Sequence, residues 1–285
     1  MRTLRHVLYY PSRSDRITLY NLTDLHIGAA ACNEKLFLQK VEEIAATPHT
    51  YWVGGGDYVD AIARVGDKRY HELTIAPWLY GKNDVMGHQR DRFLEMVEPI
   101  ADKCLGLVSG NHEFAAERWY DRDLYWEIVT GVARQAKRDP GELALGVGGF
   151  LVLRFRRGTP QSYGGSKTIT IFITHGWGGG RLPGGHALTL GRTMGDYAAD
   201  LILMGHRHVQ QLVIKTITVP SGSTAKVTRR YGVYCGTYLG AYVRPSDGRP
   251  VDTYPEHKGL PPSPVGTPTI LVKPDQASIQ VLVGG

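Results

Sequence analysis

Five short polar blocks, each placed directly after an apolar run, constrain this chain more than anything else in it. They are Asp24-Leu25-His26, Gly56-Asp57-Tyr58-Val59-Asp60, Gly110-Asn111-His112-Glu113, Thr174-His175-Gly176 and Gly205-His206-Arg207-His208. The runs before them include Ile17-Thr18-Leu19-Tyr20, Tyr51-Trp52-Val53, Leu105-Gly106-Leu107-Val108 and Leu201-Ile202-Leu203-Met204, and all four read as buried strands. A fold in which such strands end together gathers aspartate, asparagine and histidine into one cleft.

Carboxylate and imidazole in one place suit manganese, iron, zinc or nickel better than calcium. Two such cations roughly 3.5–4 Å apart can hold a phosphate between them and turn a shared water into hydroxide. That chemistry needs a carboxylate able to bridge, with neutral ligands on either side. Asp57 sits at the Gly54-Gly55-Gly56 turn, where a side chain projects from the end of a buried strand. The two-residue spacing of Asp24 and His26, repeated in His206 and His208, predicts an extended segment presenting both side chains on one face.

With these residues in this order, the chain resembles the calcineurin-like metallophosphoesterase superfamily, in the manner of its prokaryotic and phage-type phosphodiesterases and nucleases. The motifs that carry the resemblance are DxH, GDxxD, GNH[DE], a lone histidine after a strand, and GHxH, and they span residues 24 to 208 in family order. The resemblance implies that Asp24, His26 and His208 bind a first metal, Asn111, His175 and His206 a second, and that Asp57 bridges them. It implies His112 as the acid that protonates the leaving oxygen, with Asp60 and Glu113 supporting the ligands from behind. Either of these two carboxylates can instead cap a helix. Two divalent transition-metal ions are the implied cofactors, manganese first, then iron, zinc or nickel.

Subfamily differences narrow the expectation. Protein Ser/Thr phosphatases carry Arg-Gly after the second block's aspartate and an arginine before the third block; this chain has Asp60-Ala61-Ile62 and Val108-Ser109. Purple acid phosphatases place a tyrosine ligand where Asp60 stands. The resemblance to DNA-repair exonucleases is looser, because no histidine follows the aspartate of the second block. What remains is a phosphodiesterase acting on nucleotides or nucleic acid, with a small-molecule phosphomonoesterase and a non-catalytic binding scaffold as the alternatives.

A chain of 285 residues can bury one large core, and ligands spread over most of its length favour one catalytic domain, residues 1–254. Residues 255–285, with five prolines between Pro255 and Pro268, read as an extended tail to which Thr269–Val272 and Ser278–Val283 add edge strands. Met1–Tyr20 alternates charge with apolar residues and has no continuous apolar stretch, so it does not read as a signal peptide. No run is long enough to span a membrane. Cys32, Cys104 and Cys235 are odd in number in apolar surroundings and read as reduced thiols of a cytoplasmic protein.

Helices are expected from Asn33 to about Ala46, from Gly87 to Ile100, from Ala115 to Lys137 and from Thr189 to Asp200. Strands are expected at Phe150–Phe155, Thr168–Thr174, Leu201–Met204, Gln211–Val219 and Gly232–Val243. The β-α-β opening followed by strand-rich segments predicts an α/β fold, a sandwich of two mixed β-sheets flanked by helices, which the resemblance also implies.

The net charge of +6 and the clusters Arg64/Lys68/Arg69, Arg154–Arg157 and Arg229-Arg230 suit a polyanionic partner, or simply a solvated basic surface. Trp177, two residues beyond His175, either stacks a base or packs under its loop. Gly178–Gly180 and Gly184-Gly185 enclose Arg181 and His186 in a loop expected to be mobile, with Trp177 and Arg181 as its substrate contacts.

Overall fold

Strands buried on both faces form the centre of the computed structural model, which describes residues 1–62, 67, 70, 74–180, 182–241, 253, 256, 259 and 262–284. Twelve strands are arranged in two sheets of six: β1 (Arg2–Tyr10), β2 (Ile17–Leu22), β3 (Thr50–Gly54), β4 (Cys104–Val108), β5 (Ala144–Gly146), β6 (Gly148–Gly158), β7 (Tyr163–Thr174), β8 (Leu201–Met204), β9 (Gln210–Ser221), β10 (Thr224–Cys235), β11 (Thr269–Lys273) and β12 (Ser278–Leu282). The orders are β1-β6-β7-β8-β10-β9 and β12-β11-β2-β3-β4-β5. Each sheet mixes parallel and antiparallel pairs: β2, β3, β4 and β5 run parallel while β11 opposes β2. In the other sheet β7, β8 and β10 are parallel, β6 opposes β7 but runs parallel to β1, and β9 opposes β10. The predicted sandwich is what forms.

Alternation of side chains along each strand feeds two layers at once. Leu19, Val53 and Val108 point between the sheets, where they meet Leu151, Leu153, Ile171 and Leu203. Tyr20, Trp52 and Leu107 point the other way, against the helices α1 (Glu34–Ala46), α2 (Val85–Val97) and α4 (Leu124–Gln135). The Trp52 indole N–H donates to the Ile100 carbonyl at 2.7 Å, so even this fully buried ring leaves no polar group unpaired. The far face of the first sheet is covered by α5 (Pro183–Asp196), through Leu190 and Met194 on Phe172 and Ile202.

Several boundaries differ from expectation, for local reasons. The helix expected from Ala115 to Lys137 is two: α3 (Asn111–Tyr120) stops at Asp121, whose φ is 49°, and Asp123 caps α4 by accepting from Trp126 N at 2.8 Å. Asp84 caps α2, which starts at Val85, two residues before the expected Gly87, and Pro99 turns its expected end into a 3₁₀ segment, Glu98–Lys103. Pro183 starts α5 at its first turn, so Gly184, Gly185 and His186 belong to a helix and not to a mobile loop. Strand β10 lies earlier than expected and ends at Cys235. Of the C-terminal strands, β12 is the edge, while β11 pairs with both β12 and β2. Arg64, Lys68, Arg69 and Arg181 lie outside the described residues. Among the described residues no helix is long and apolar enough to cross a membrane. Cys104 and Cys235 are buried, Cys32 is partly buried, and none is in a disulfide.

Candidate metal centre

All five polar blocks follow the C-terminal ends of strands, namely β2, β3, β4, β7 and β8, and these ends meet at one place. The side chains do not arrive on extended backbone, however. Asp24, His26, Asp57, His206 and His208 have φ of 51°, 50°, 51°, 69° and 53°. The left-handed region costs a non-glycine residue roughly 1–2 kcal/mol, and only dense local bonding holds it. Here Asp24 N donates to Gly56 O at 3.0 Å, and Leu25 N and His26 N both donate to Asp57 O, at 2.9 and 3.1 Å. The two-residue spacing therefore converges through two interlocked tight turns, which corrects the extended-segment expectation. Two glycines permit the close approach. A Cβ on Gly56 would lie 2.6 Å from Gly110 N, and one on Gly110 would lie 2.1 Å from Asp57 Oδ1.

The seven ligands that the resemblance implies form two adjoining clusters. In the first, His208 Nε2 lies 3.1 Å from Asp24 Oδ1 and 3.2 Å from His26 Nε2. In the second, His175 Nε2 lies 3.1 Å from Asp57 Oδ2 and 3.0 Å from Asn111 Oδ1, and His206 Nδ1 lies 2.8 Å from the same Asn111 oxygen. Asp57 Oδ2 faces both, because His26 Nε2 is 4.0 Å away on the other side. Asp57 Oδ1 is held by the first turn of α3, accepting from His112 N at 2.9 Å, where the helix dipole favours a negative charge.

Hydrogen bonds behind the rings decide what faces the centre. His175 Nδ1 donates to Gly55 O at 2.8 Å, His206 Nε2 donates to Gly178 O at 3.1 Å, and His26 Nδ1 faces Asp60 Oδ1 at 3.3 Å. Each of these leaves the ring's other nitrogen as a lone pair aimed inward. Lone pairs of His175 and His206 then confront the Asn111 oxygen, acceptor against acceptor, an arrangement that is stable only with positive charge between them. The carboxylates make the same demand. Burial works against ionised Asp24 and Asp57, yet the surrounding imidazoles win and hold both below the ordinary aspartate value, Asp57 well below it. Burial likewise opposes a charged His175, but Asp57 and Asp24 raise it to about 10. Without a cation, a proton on His175 supplies the missing charge. These donors fit transition-metal ions in both clusters.

Asp60 orients His26, and its backbone carbonyl accepts from His112 Nδ1. Glu113 serves both purposes left open above. At the third position of α3 it accepts from Gly110 N at 2.8 Å, and its two oxygens also accept from Asp57 N at 2.9 Å and Tyr58 N at 2.8 Å. Burial, with the Asp57 charge nearby, pushes its carboxyl up to about 7. The His112 Nε2 lies 4.0 Å from Asp57 Oδ2, at the margin of both clusters. Trp177 is 53% exposed beside the Gly178 carbonyl that fixes His206, so it does not pack under its loop. His186 is buried in α5 and its Nε2 bonds Gly180 O at 3.0 Å, which ties the glycine loop down.

Three contributors carry no motif. Thr23 Oγ1 donates to Asp24 Oδ2 at 2.7 Å, and Thr237 Oγ1 donates to Asp24 O at 2.8 Å from far along the chain. Buried Gln89 accepts from Ala61 N at 2.9 Å and so holds the end of the second block. Thr23 was readable as a polar residue between a buried strand and a ligand; nothing in the sequence marks Thr237 or Gln89. Arg207 lies between two ligands, but its guanidinium runs under the glycine loop, 3.1 Å from where a Cβ on Gly178 would stand.

No protein-family model and no curated protein matches the chain. Several solved structures are similar over most of their length. A metallophosphoesterase from Sphaerobacter thermophilus is 16% identical at a TM-score of 0.38, covering 93% of this chain and 87% of its own. Wild-type Vps29 complexed with Zn+2 from Entamoeba histolytica is 12% identical at a TM-score of 0.38, covering 93% and 97%. A conserved predicted phosphoesterase from Streptococcus pneumoniae TIGR4 is 11% identical at a TM-score of 0.30, covering 90% and 84%. The two sheets of this chain bring together the residues that the motif resemblance implies as ligands.

Proposed function

We propose that this chain is a dinuclear metal-dependent phosphoesterase that hydrolyses phosphodiester bonds of nucleotides or nucleic acid. The observation that carries the reading is the convergence of imidazole lone pairs and ionised carboxylates on two adjoining points, with Asp57 Oδ2 facing both. Asp24, His26 and His208 would hold one cation and Asn111, His175 and His206 the other. Divalent cations there supply charge for the transition state and activate water.

The remaining work belongs to the protein's own groups. His112 has its Nδ1 committed to the Asp60 carbonyl, so the proton it can deliver sits on Nε2, which faces the centre. A departing sugar oxygen needs that proton as its bond to phosphorus breaks, and general acid catalysis of this kind is worth about 10²–10⁴-fold. Asp60 and Glu113 keep the His26 ring and the Asp57 turn from shifting. Preference for a diester follows from charge. A monoester dianion needs cationic side chains at its terminal oxygens, and among the described residues no lysine or arginine forms an ion pair with the clustered carboxylates. Arg207 is turned toward the glycine loop.

A substrate panel tests this. Protein loaded with manganese should cleave bis-p-nitrophenyl phosphate faster than p-nitrophenyl phosphate and should act on cyclic nucleotides or on single- or double-stranded DNA. Faster cleavage of the monoester, with no action on any nucleotide, would replace the proposal with a phosphomonoesterase.

A further inference from the structure

Helix α3 starts inside the centre, at Asn111, and leads away from it with an unusual outer surface. Positions three and four apart on a helix lie one above the other, so Asn111, Phe114 and Arg118 form one stripe. All three are exposed. Phe114 is 49% exposed although it immediately follows Glu113, and it is the one exposed phenylalanine in the described chain. Arg118 stands about 10 Å along the axis from Asn111, its guanidinium 5.0 Å over the ring of Trp119, which is itself 69% exposed. Trp177, 53% exposed, follows a ligand of the same cluster two residues after His175.

An apolar ring in water beside a charged centre gains nothing from the fold. Phe114 contributes to neither of the large cores, and Trp119, 69% exposed, lies under the Arg118 guanidinium. A scissile phosphate held at Asn111 places the adjoining nucleotide over α3, where a base can lie on Phe114 and the next phosphate can reach Arg118. Base-on-ring stacking tolerates any sequence, since every base has a flat face.

We infer that the outer stripe of α3, Phe114 and Arg118, with Trp119 beside the Arg118 guanidinium, is the binding track for a single-stranded oligonucleotide whose scissile phosphate sits at Asn111. The inference rests on the phosphodiesterase reading and names the substrate class within it: a strand with unpaired bases, in preference to a duplex or an isolated cyclic nucleotide.

Binding and turnover are measured separately. Fluorescein-labelled oligothymidylate is titrated by anisotropy into chelator-treated protein, and manganese-loaded protein is assayed on the same oligonucleotide and on bis-p-nitrophenyl phosphate. Phe114→Ala should weaken oligonucleotide binding about tenfold, and Phe114→Trp should restore it. Arg118→Gln should flatten the salt dependence of binding by about 0.7 in log–log slope, as expected for one lost phosphate contact on a single strand, and Arg118→Lys should keep it. In both Ala and Gln variants kcat/KM should fall more on the oligonucleotide than on the small diester. Wild-type affinity and salt slope in both variants would overturn the track and leave α3 as a surface for a protein partner. A wild-type protein that cleaves the small diester but neither binds nor cuts the oligonucleotide would also overturn it, with the diesterase reading intact. Failure on the small diester would remove the diesterase reading itself.

Discussion

Replacing Glu113 tests whether the bridging aspartate is positioned by the fold. Its carboxylate accepts three backbone N–H groups at 2.8–2.9 Å, from Asp57, Tyr58 and Gly110, and it is buried. Glu113→Gln keeps one oxygen, which can serve Asp57 N and Gly110 N together, but it turns an amide NH2 toward the Tyr58 N–H. One buried donor is then unpaired, at about 1–3 kcal/mol, while removal of a costly buried charge returns part of this. A net loss of about 2 kcal/mol is expected. Glu113→Ala leaves all three donors facing a cavity, and even with some hydration the loss should reach about 4 kcal/mol. Guanidinium unfolding of metal-free protein measures both, and calorimetric titration with manganese should then show affinity reduced by about 10–100-fold, as for other groups that orient ligands from behind. If both variants unfold within about 0.5 kcal/mol of wild type, the range of an ordinary surface change, the clamp described for Glu113 is wrong.

Two more outcomes follow from named contacts. His112→Ala should retain its metals and lose about 10²–10⁴-fold on a substrate with an alkoxide leaving group but far less with nitrophenolate; equal losses would reduce His112 to a structural role. His6, bonded through Nε2 to Leu105 O at 2.8 Å, has its pKa lowered by burial and then by Arg138. The unfolded chain therefore takes up this proton first as pH falls below about 6.5, and stability drops below that point. In His6→Gln the unfolding midpoint should fall less steeply between about pH 7 and about pH 5, and an unchanged slope would contradict the assignment.

Where strands lie between two layers, their sequences say so. Ile17–Tyr20, Tyr51–Val53 and Leu201–Met204 are largely apolar runs because both faces are covered, and each of them forms a strand. The first strand carries no such run, for the opposite reason. Arg2–Tyr10 is an edge with one buried face, and the alternation that argued against a signal peptide is the strand pattern itself. The motif residues were legible because few side chains bind metal, but their backbone was not: two residues of spacing fit an extended segment and a left-handed turn equally, and the turn wins through carbonyls of Gly56 and Asp57 that sequence cannot reveal. Glu113 looked like either a cap or a support because α3 begins at the centre, where one carboxylate does both. Thr237 reaches Asp24 from a strand end that only the folded sheet brings near.

In the proposed centre Asp57 stands between two cations. The most direct measurement is anomalous diffraction from crystals grown with manganese, for the wild type and Asp57→Asn. The wild type should give two anomalous peaks, one beside Asp24, His26 and His208 and one beside Asn111, His175 and His206, with Asp57 Oδ2 between them, and both peaks should weaken in the variant. No peak at these clusters, or two full peaks in Asp57→Asn, would contradict it.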